Sequence, residues 1–298
     1  MKILLVGCNG QVGWELQRSL APLGEVIALD FDTPGDLRAD FSQPESLRAL
    51  VHRLAPDAIV NAAAHTAVDK AESEPDLCRT LNATAPSVLA QEAAARGALL
   101  VHYSTDYVFD GSGNHARDED AATGPLSVYG RTKLEGEDAI RTSGCQHLIL
   151  RTSWVYAARG GNFARTMLKL AAERDALTVI DDQFGAPTGA DLLADVTAHA
   201  LRRLAADAAL SGTYHCVAGG ETSWHGYATH VIEWARQNGL PVKVARDAVR
   251  AVPTTAFPTP APRPRNSRLD TRKLQSTFGL NLPHWQGGVE RMLLEISR

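Results

Sequence analysis

Only four cysteines occur in 298 residues, Cys8, Cys78, Cys145 and Cys216, and no two form a C-x-x-C pair. A chain of this length buries roughly three quarters of its unfolded surface and needs no covalent staples, so the thiols read as reduced, as in a cytosol. Nowhere do 18 apolar residues run together, so no membrane span is expected. Met1-Lys2 leads into Ile3-Leu4-Leu5-Val6 and stops at Gly7, too short for the apolar region of an export signal. A soluble, unexported, cytoplasmic protein is the expectation. A basic excess is missing too: Lys+Arg 30 against Asp+Glu 34 leaves -4. No excess of positive charge is available to neutralise a phosphate backbone, and no nucleic-acid partner is expected. The sequence has no G-x-x-x-x-G-K-[ST] phosphate loop and no G-x-S-x-G elbow, and its histidines lack metal spacing.

What is present is an ordinary globular composition, 44% hydrophobic and 21% charged, in a length that suits about two domains. Short aliphatic runs alternate with longer helical patterns in the first half, the signature of βαβ units and a parallel sheet. Strands are expected near Ile3–Val6, Val26–Asp30, Ala58–Ala63, Leu99–Thr105 and Leu148–Thr152, with helices over Gln11–Ala21, Pro44–Leu54, Pro75–Arg96 and Leu126–Arg141. After Trp154 the pattern loosens into shorter strands, Leu177–Ile180 and Thr213–Val217, among the helices Phe163–Arg174, Gly189–Leu204 and Trp224–Asn238. The division this suggests is 1–153 for the first domain, re-entered around 185–220, and 154–298 for a smaller second one. Five prolines between Pro253 and Pro264 make that stretch a loop. Val289, Met292, Leu293 and Ile296 form the apolar stripe of a closing helix.

The first strand runs into Gly7-Cys8-Asn9-Gly10-Gln11-Val12-Gly13, a glycine-rich turn that opens a helical pattern. Small residues let a ligand's pyrophosphate approach the backbone, and the free N–H groups of the helix start hold it. Asp30 ends the second strand, where a carboxylate accepts from a ribose hydroxyl and repels a 2'-phosphate, so NADH is expected to serve at least as well as NADPH. Asp40-Phe41 suits the adenine end, and Ala62-Ala63-Ala64 allows close approach. The fold class that follows is α/β, a Rossmann-type doubly wound parallel sheet with a smaller C-terminal α/β domain.

Tyr129 and Lys133 stand four apart on an expected helix and are therefore neighbours. A fixed cation lowers the phenol's pKa from about 10 and makes it a usable acid, so Lys133 is expected to tune Tyr129. Ser104-Thr105-Asp106-Tyr107 ends the fourth strand, and it puts hydroxyls where open α/β sheets bind ligands.

Gly7 to Gly13, Asn61 to Asp69, Ser104 to Phe109, Tyr129 to Lys133, Arg151 to Tyr156 and Arg263 to Ser267 together resemble the dTDP-4-dehydrorhamnose reductases, a family of the extended short-chain dehydrogenase/reductase superfamily. The resemblance spans the chain. It implies reduction of a dTDP-sugar 4-ketone with NADH or NADPH, a step that feeds cell-surface polysaccharide. It implies Tyr129 as proton donor, Lys133 as its partner and cofactor ligand, and Thr105 on the reacting oxygen. Gly10, Gln11, Val12, Asp30, Asp40, Phe41, Ala64, His65 and Thr66 fall at cofactor positions, Asp106 and Trp154 at substrate positions. Some members dimerise through magnesium (Mg2+). Glu15 matches one ligand position, Asp191 stands where a glutamate is expected, and Glu295 offers a third. A homodimer is the implied assembly.

Two other functions share these features: a nucleotide-sugar epimerase or dehydratase, which recycles its hydride, and a non-catalytic dinucleotide-binding subunit. The absence of a glutamate beside Asp106 argues against a dehydratase, and the intact Tyr129, Lys133 and Thr105 against a subunit without chemistry. The Trp224 to Trp234 stretch reads as core, and the remaining histidines as packed or solvated. In the Pro253–Ser267 loop, Arg263 and Arg265 are candidates to meet substrate phosphates.

Overall fold

The computed structural model describes residues 1–297. Strands β1 (Lys2–Val6), β2 (Glu25–Leu29), β3 (Ala58–Asn61), β4 (Leu99–Thr105), β5 (His147–Thr152) and a sixth, Gly212–His215, form one sheet. Their order is Gly212–His215, β5, β4, β3, β1, β2, and every pair is parallel.

The aliphatic runs suit a sheet covered on both faces. In β1, Ile3 and Leu5 enter one core while Leu4 and Val6 enter the other, as the two-residue period of a strand requires. The first core takes Leu16 and Leu20 from α1 (Gln11–Leu20) and Leu193 and Leu201 from the helix Ala190–Ala206. The second takes Leu47 and Val51 from α2 (Pro44–Leu54), Leu89 from the helix Ala85–Arg96 and Ile140 from the helix Val128–Thr142. Because β1 has β2 on one side and β3 on the other, the winding reverses beside it and a crevice opens at the carboxyl ends of the strands.

A third apolar cluster joins the helices Phe163–Glu173, Trp224–Gln237 and Trp285–Ile296 through Met167, Tyr227, Trp234, Trp285 and Val289. Beside it the strands Leu177–Ile180 and Val249–Val252 pair in parallel. No helix among the described residues is long and apolar enough to cross a membrane.

The single helix expected over Pro75–Arg96 is broken by a π-helical turn at Thr80–Thr84. Asn82 lies in that turn with its side chain inward. Its Oδ1 accepts the His65 N–H at 2.8 Å and its Nδ2 donates to the His65 carbonyl at 3.1 Å. The helix Val128–Thr142 presses so close that a Cβ on Gly136 would run into the Asn82 carbonyl oxygen. A wider turn satisfies both demands.

Candidate active site

At the end of β1, Gly7 adopts φ 80°, and its N–H and that of Cys8 reach the Leu29 carbonyl at 2.9 and 3.3 Å. A Cβ on Gly7 would lie 2.5 Å from the Ala63 nitrogen, and one on Gly13 would run into the Gly7 carbonyl oxygen. Hydrogen alone fits at both places, so α1 starts tight against β1. Gly10 caps α1 without any side-chain hydrogen bond, which leaves the helix's first N–H groups and its positive end facing outward. In front of them lies a cavity of about 630 Å³ lined by Gly7, Gly10, Asp30, Asp40, Phe41 and Ala64, among others. That size suits a small-molecule site.

Asp30 is held at the edge of this cavity by two N–H groups, Asn9 on Oδ2 and Phe31 on Oδ1, each at 2.9 Å. The Asp40 carboxylate is already engaged with Ser42, accepting its N–H at 2.9 Å and its hydroxyl at 2.6 Å. Gln11, Val12 and Gly13 form the helix turn below and do not line the cavity; the Gln11 amide reaches across to the Gly161 carbonyl at 2.9 Å. His65 is buried and gripped by Asn82, while Thr66 is exposed. The uncapped helix start, the hydrogen-only positions and the fixed carboxylate fit a dinucleotide.

The second group of residues gathers at the end of β4. Thr105 is buried, accepts the Tyr107 N–H at 3.2 Å and donates to Asp106 Oδ1 at 3.1 Å. Ser127 caps the helix Val128–Thr142 through the Gly130 N–H at 3.1 Å, and Glu72 accepts the Val128 N–H at 2.7 Å. This sets Tyr129 edge-on to Tyr107, ring centroids 5.5 Å apart. Burial pushes the Tyr129 phenol up; the nearby Thr105 hydroxyl pulls it back, and Asp106 and Cys78 add to the rise. Burial likewise pushes the Asp106 carboxyl up to about 6, against the pull of Ser267 and Thr105.

Lys133 differs from its expected part. Its Nζ donates to the Tyr103 carbonyl at 2.6 Å and stands 3.0 Å from His102 Nε2, turned into the sheet. Burial pushes it down to about 8, opposed by Glu137 and Cys78. Burial thus leaves the phenol raised rather than made more acidic, and the Lys133 amine is directed at other partners. Asn61, Asn82 and His102 are the residues that sequence reasoning missed here. The available signal was a lone polar residue inside an aliphatic strand, His102 in Leu-Leu-Val-His.

Trp154 has φ 50°, a costly conformation for a bulky residue, and stacks on Trp224 with centroids 3.7 Å apart at 16°. Arg263 is not free for phosphate: it grips Asp69 through two bonds of 3.0 and 2.8 Å. Arg265 lies 3.8 Å from Asp182. Glu15, Asp191 and Glu295 do border one cavity, of about 280 Å³, but guanidinium groups compete for two of them: Arg18 is 3.6 Å from Glu15 and Arg291 is 3.6 Å from Asp191. Among the described residues no three acidic, histidine or cysteine side chains form a group that could hold a metal ion. The expected magnesium set is thus not assembled within one chain.

A doubly wound sheet with a glycine-walled crevice at its carboxyl edge is the architecture of a dinucleotide-dependent oxidoreductase of the short-chain dehydrogenase/reductase type. Residues 1–298 match the family model described as the RmlD substrate binding domain, and the chain belongs to that family, the dTDP-4-dehydrorhamnose reductases. It is 58% identical over 296 residues to the dTDP-4-dehydrorhamnose reductase of Shigella flexneri, covering 99% of this chain and 98% of that one. The dTDP-4-dehydrorhamnose reductase of Bacillus anthracis, solved in complex with NADP, superposes with a TM-score of 0.87 at 33% identity, covering 99% of both chains. Its counterpart from Clostridium acetobutylicum gives 0.88 at 35% identity, covering 100% of both.

Proposed function

We propose that this chain reduces the 4-keto group of dTDP-4-dehydro-L-rhamnose to the alcohol of dTDP-L-rhamnose, with NADH or NADPH. The observation that carries this reading is that Tyr129 lies near enough to Thr105, at the carboxyl end of β4, for that hydroxyl to act on its phenol, in a sheet whose same edge carries the glycine-walled crevice. The first-turn N–H groups of α1 hold the pyrophosphate, and Asp30 accepts from the adenosine ribose. When bound, the reduced nicotinamide supplies the hydride that adds to C4 of the sugar. Thr105 hydrogen-bonds the ketone oxygen, and Tyr129 gives its proton to that oxygen as negative charge develops there, which completes the C–OH group. A phenol raised by burial keeps its proton until that charge appears, as a general acid must. Lys133, one helical turn along from Tyr129, supplies positive charge to the site in its ammonium form. Asp106 and Trp154 position the sugar.

The test is stoichiometric loss of reduced nicotinamide absorbance on adding the keto sugar. An epimerase would consume none, and a subunit without chemistry would leave the sugar unchanged; either result would overturn the reading. Self-association belongs to the same proposal, supported by Trp14 standing exposed at the cavity of Glu15, Asp191 and Glu295, and sedimentation across a range of concentrations tests it. A reducing, cytosolic setting is supported by four buried free thiols.

A further inference from the structure

Asn61 and His102 are register partners on β3 and β4, so their side chains leave the sheet side by side. Each is 1% exposed, and Lys133 is 2% exposed. The Asn61 amide is oriented by the Ala63 N–H, which its Oδ1 accepts at 3.0 Å. Its NH2 group therefore faces His102 Nδ1, at 3.0 Å, and Nδ1 must be an acceptor. Burial holds His102 well below its ordinary pKa, and Lys133 adds to this whenever it is charged, so the ring is neutral. A neutral ring that accepts at Nδ1 carries its proton on Nε2. Nε2 stands 3.0 Å from Lys133 Nζ. Two donors meet there unless Nζ offers a lone pair, as an uncharged amine does.

We propose that His102, oriented by Asn61, is a positioning residue that presents an N–H rather than a lone pair to Lys133, and so keeps it a readily deprotonated amine drawn into the sheet. The other groups around Lys133 do not cancel this. Cys78, from the helix Pro75–Arg79, and Tyr129 are both pushed up by their surroundings and so are neutral. Glu137, on the same helix as Lys133, favours the ammonium, but its charge is engaged by Arg151 at 2.7 Å and Arg141 at 2.9 Å. The consequence for catalysis is a limit at alkaline pH, because activity that needs the ammonium falls as pH rises through the Lys133 titration.

The inference deepens the proposed reading of the site, and its test is read without turnover, so the two can fail separately. The probe is the ε-carbon NMR signal of labelled lysine in the cofactor-free full chain, with the Lys133 signal identified by its loss in Lys133→Met. It should titrate at about 8, well under the ~10.4 of an unperturbed lysine. In His102→Gln a side-chain oxygen can turn to Nζ, and the titration should rise by about one pH unit or more, with the alkaline limb of kcat/KM moving with it. Asn61→Leu removes the donor that holds the imidazole proton on Nε2 without adding charge, so Nε2 can turn a lone pair to Nζ and the signal should move in the same direction even if His102→Gln fails to fold. A Lys133 signal in the ordinary lysine range in the unaltered protein overturns the proposal. So does an unmoved titration in either variant when folded.

Discussion

The turn from Gly7 to Gly13 and the cluster around Tyr129 stand at the carboxyl ends of one sheet, yet their polar groups are handled in opposite ways. In the turn the first N–H groups of α1 carry no side-chain cap, and an open cavity lies over the glycines that precede them. In the cluster Thr105, Lys133, His102 and Asn61 are each buried and bonded to another protein group. A binding surface keeps its donors free for the ligand. A reacting group needs a fixed position and a set proton affinity, which only buried, mutually bonded side chains provide. Binding and chemistry should therefore separate by mutation.

The largest effect is expected from Tyr129→Phe, which removes the acid and leaves the turn intact. Steady-state kinetics should show kcat lower by about 10² to 10⁴, while the NADH Kd, from fluorescence titration, stays near its starting value. Near-normal turnover would remove Tyr129 from its proposed role. The converse variant is Gly13→Ala, whose added methyl group runs into the Gly7 carbonyl oxygen. Overpacking of this kind costs about 1–3 kcal/mol. It should appear as a Kd for NADH raised about 5- to 160-fold, with kcat at saturating cofactor largely kept. Unchanged binding would mean that the close fit of α1 on β1 does not shape the cofactor turn.

The same contrast explains what could be read in advance. The turn is local: its three glycines fall within seven consecutive residues, Asp30 follows within one βαβ unit, and the strands around it are aliphatic enough for the alternation to show. The cluster is non-local. The i, i+4 pairing of Tyr129 and Lys133 is visible in the sequence, but the direction of the Lys133 side chain depends on His102, 31 residues earlier and on another element. The π-helical turn was hidden for the same reason, since Asn82 serves His65 across 17 residues. Arg263 seemed available for phosphate because its partner, Asp69, lies 194 positions away.

That last pair supports the smallest prediction and extends the comparison to the segment that borders the cluster. The Pro253–Pro264 loop is fastened by Arg263 on Asp69 and by the Ala261 N–H on the same carboxylate at 3.2 Å. The pair lies close enough to Tyr107 to influence its phenol, and Tyr107 packs edge-on against Tyr129. Asp69 is 41% exposed and Arg263 24%, so solvent screens the pair and Asp69→Asn should cost only ~0.2–1 kcal/mol. The sign with pH follows from the carboxyl, which the Arg263 hydrogen bond, followed by the Ala261 N–H, holds below its ordinary value. The contribution is complete above the unfolded aspartate pKa of about 3.9 and is lost as pH falls through the lower folded value. Thermal melts should show the variant slightly less stable at neutral pH, and the gap should close below about pH 4. If the loop orders Tyr107, KM for the sugar nucleotide should rise in Asp69→Asn while kcat holds. A stability gap that persists unchanged into acid would show that the loop is held by packing around Pro264 and Gly111 rather than by the ion pair.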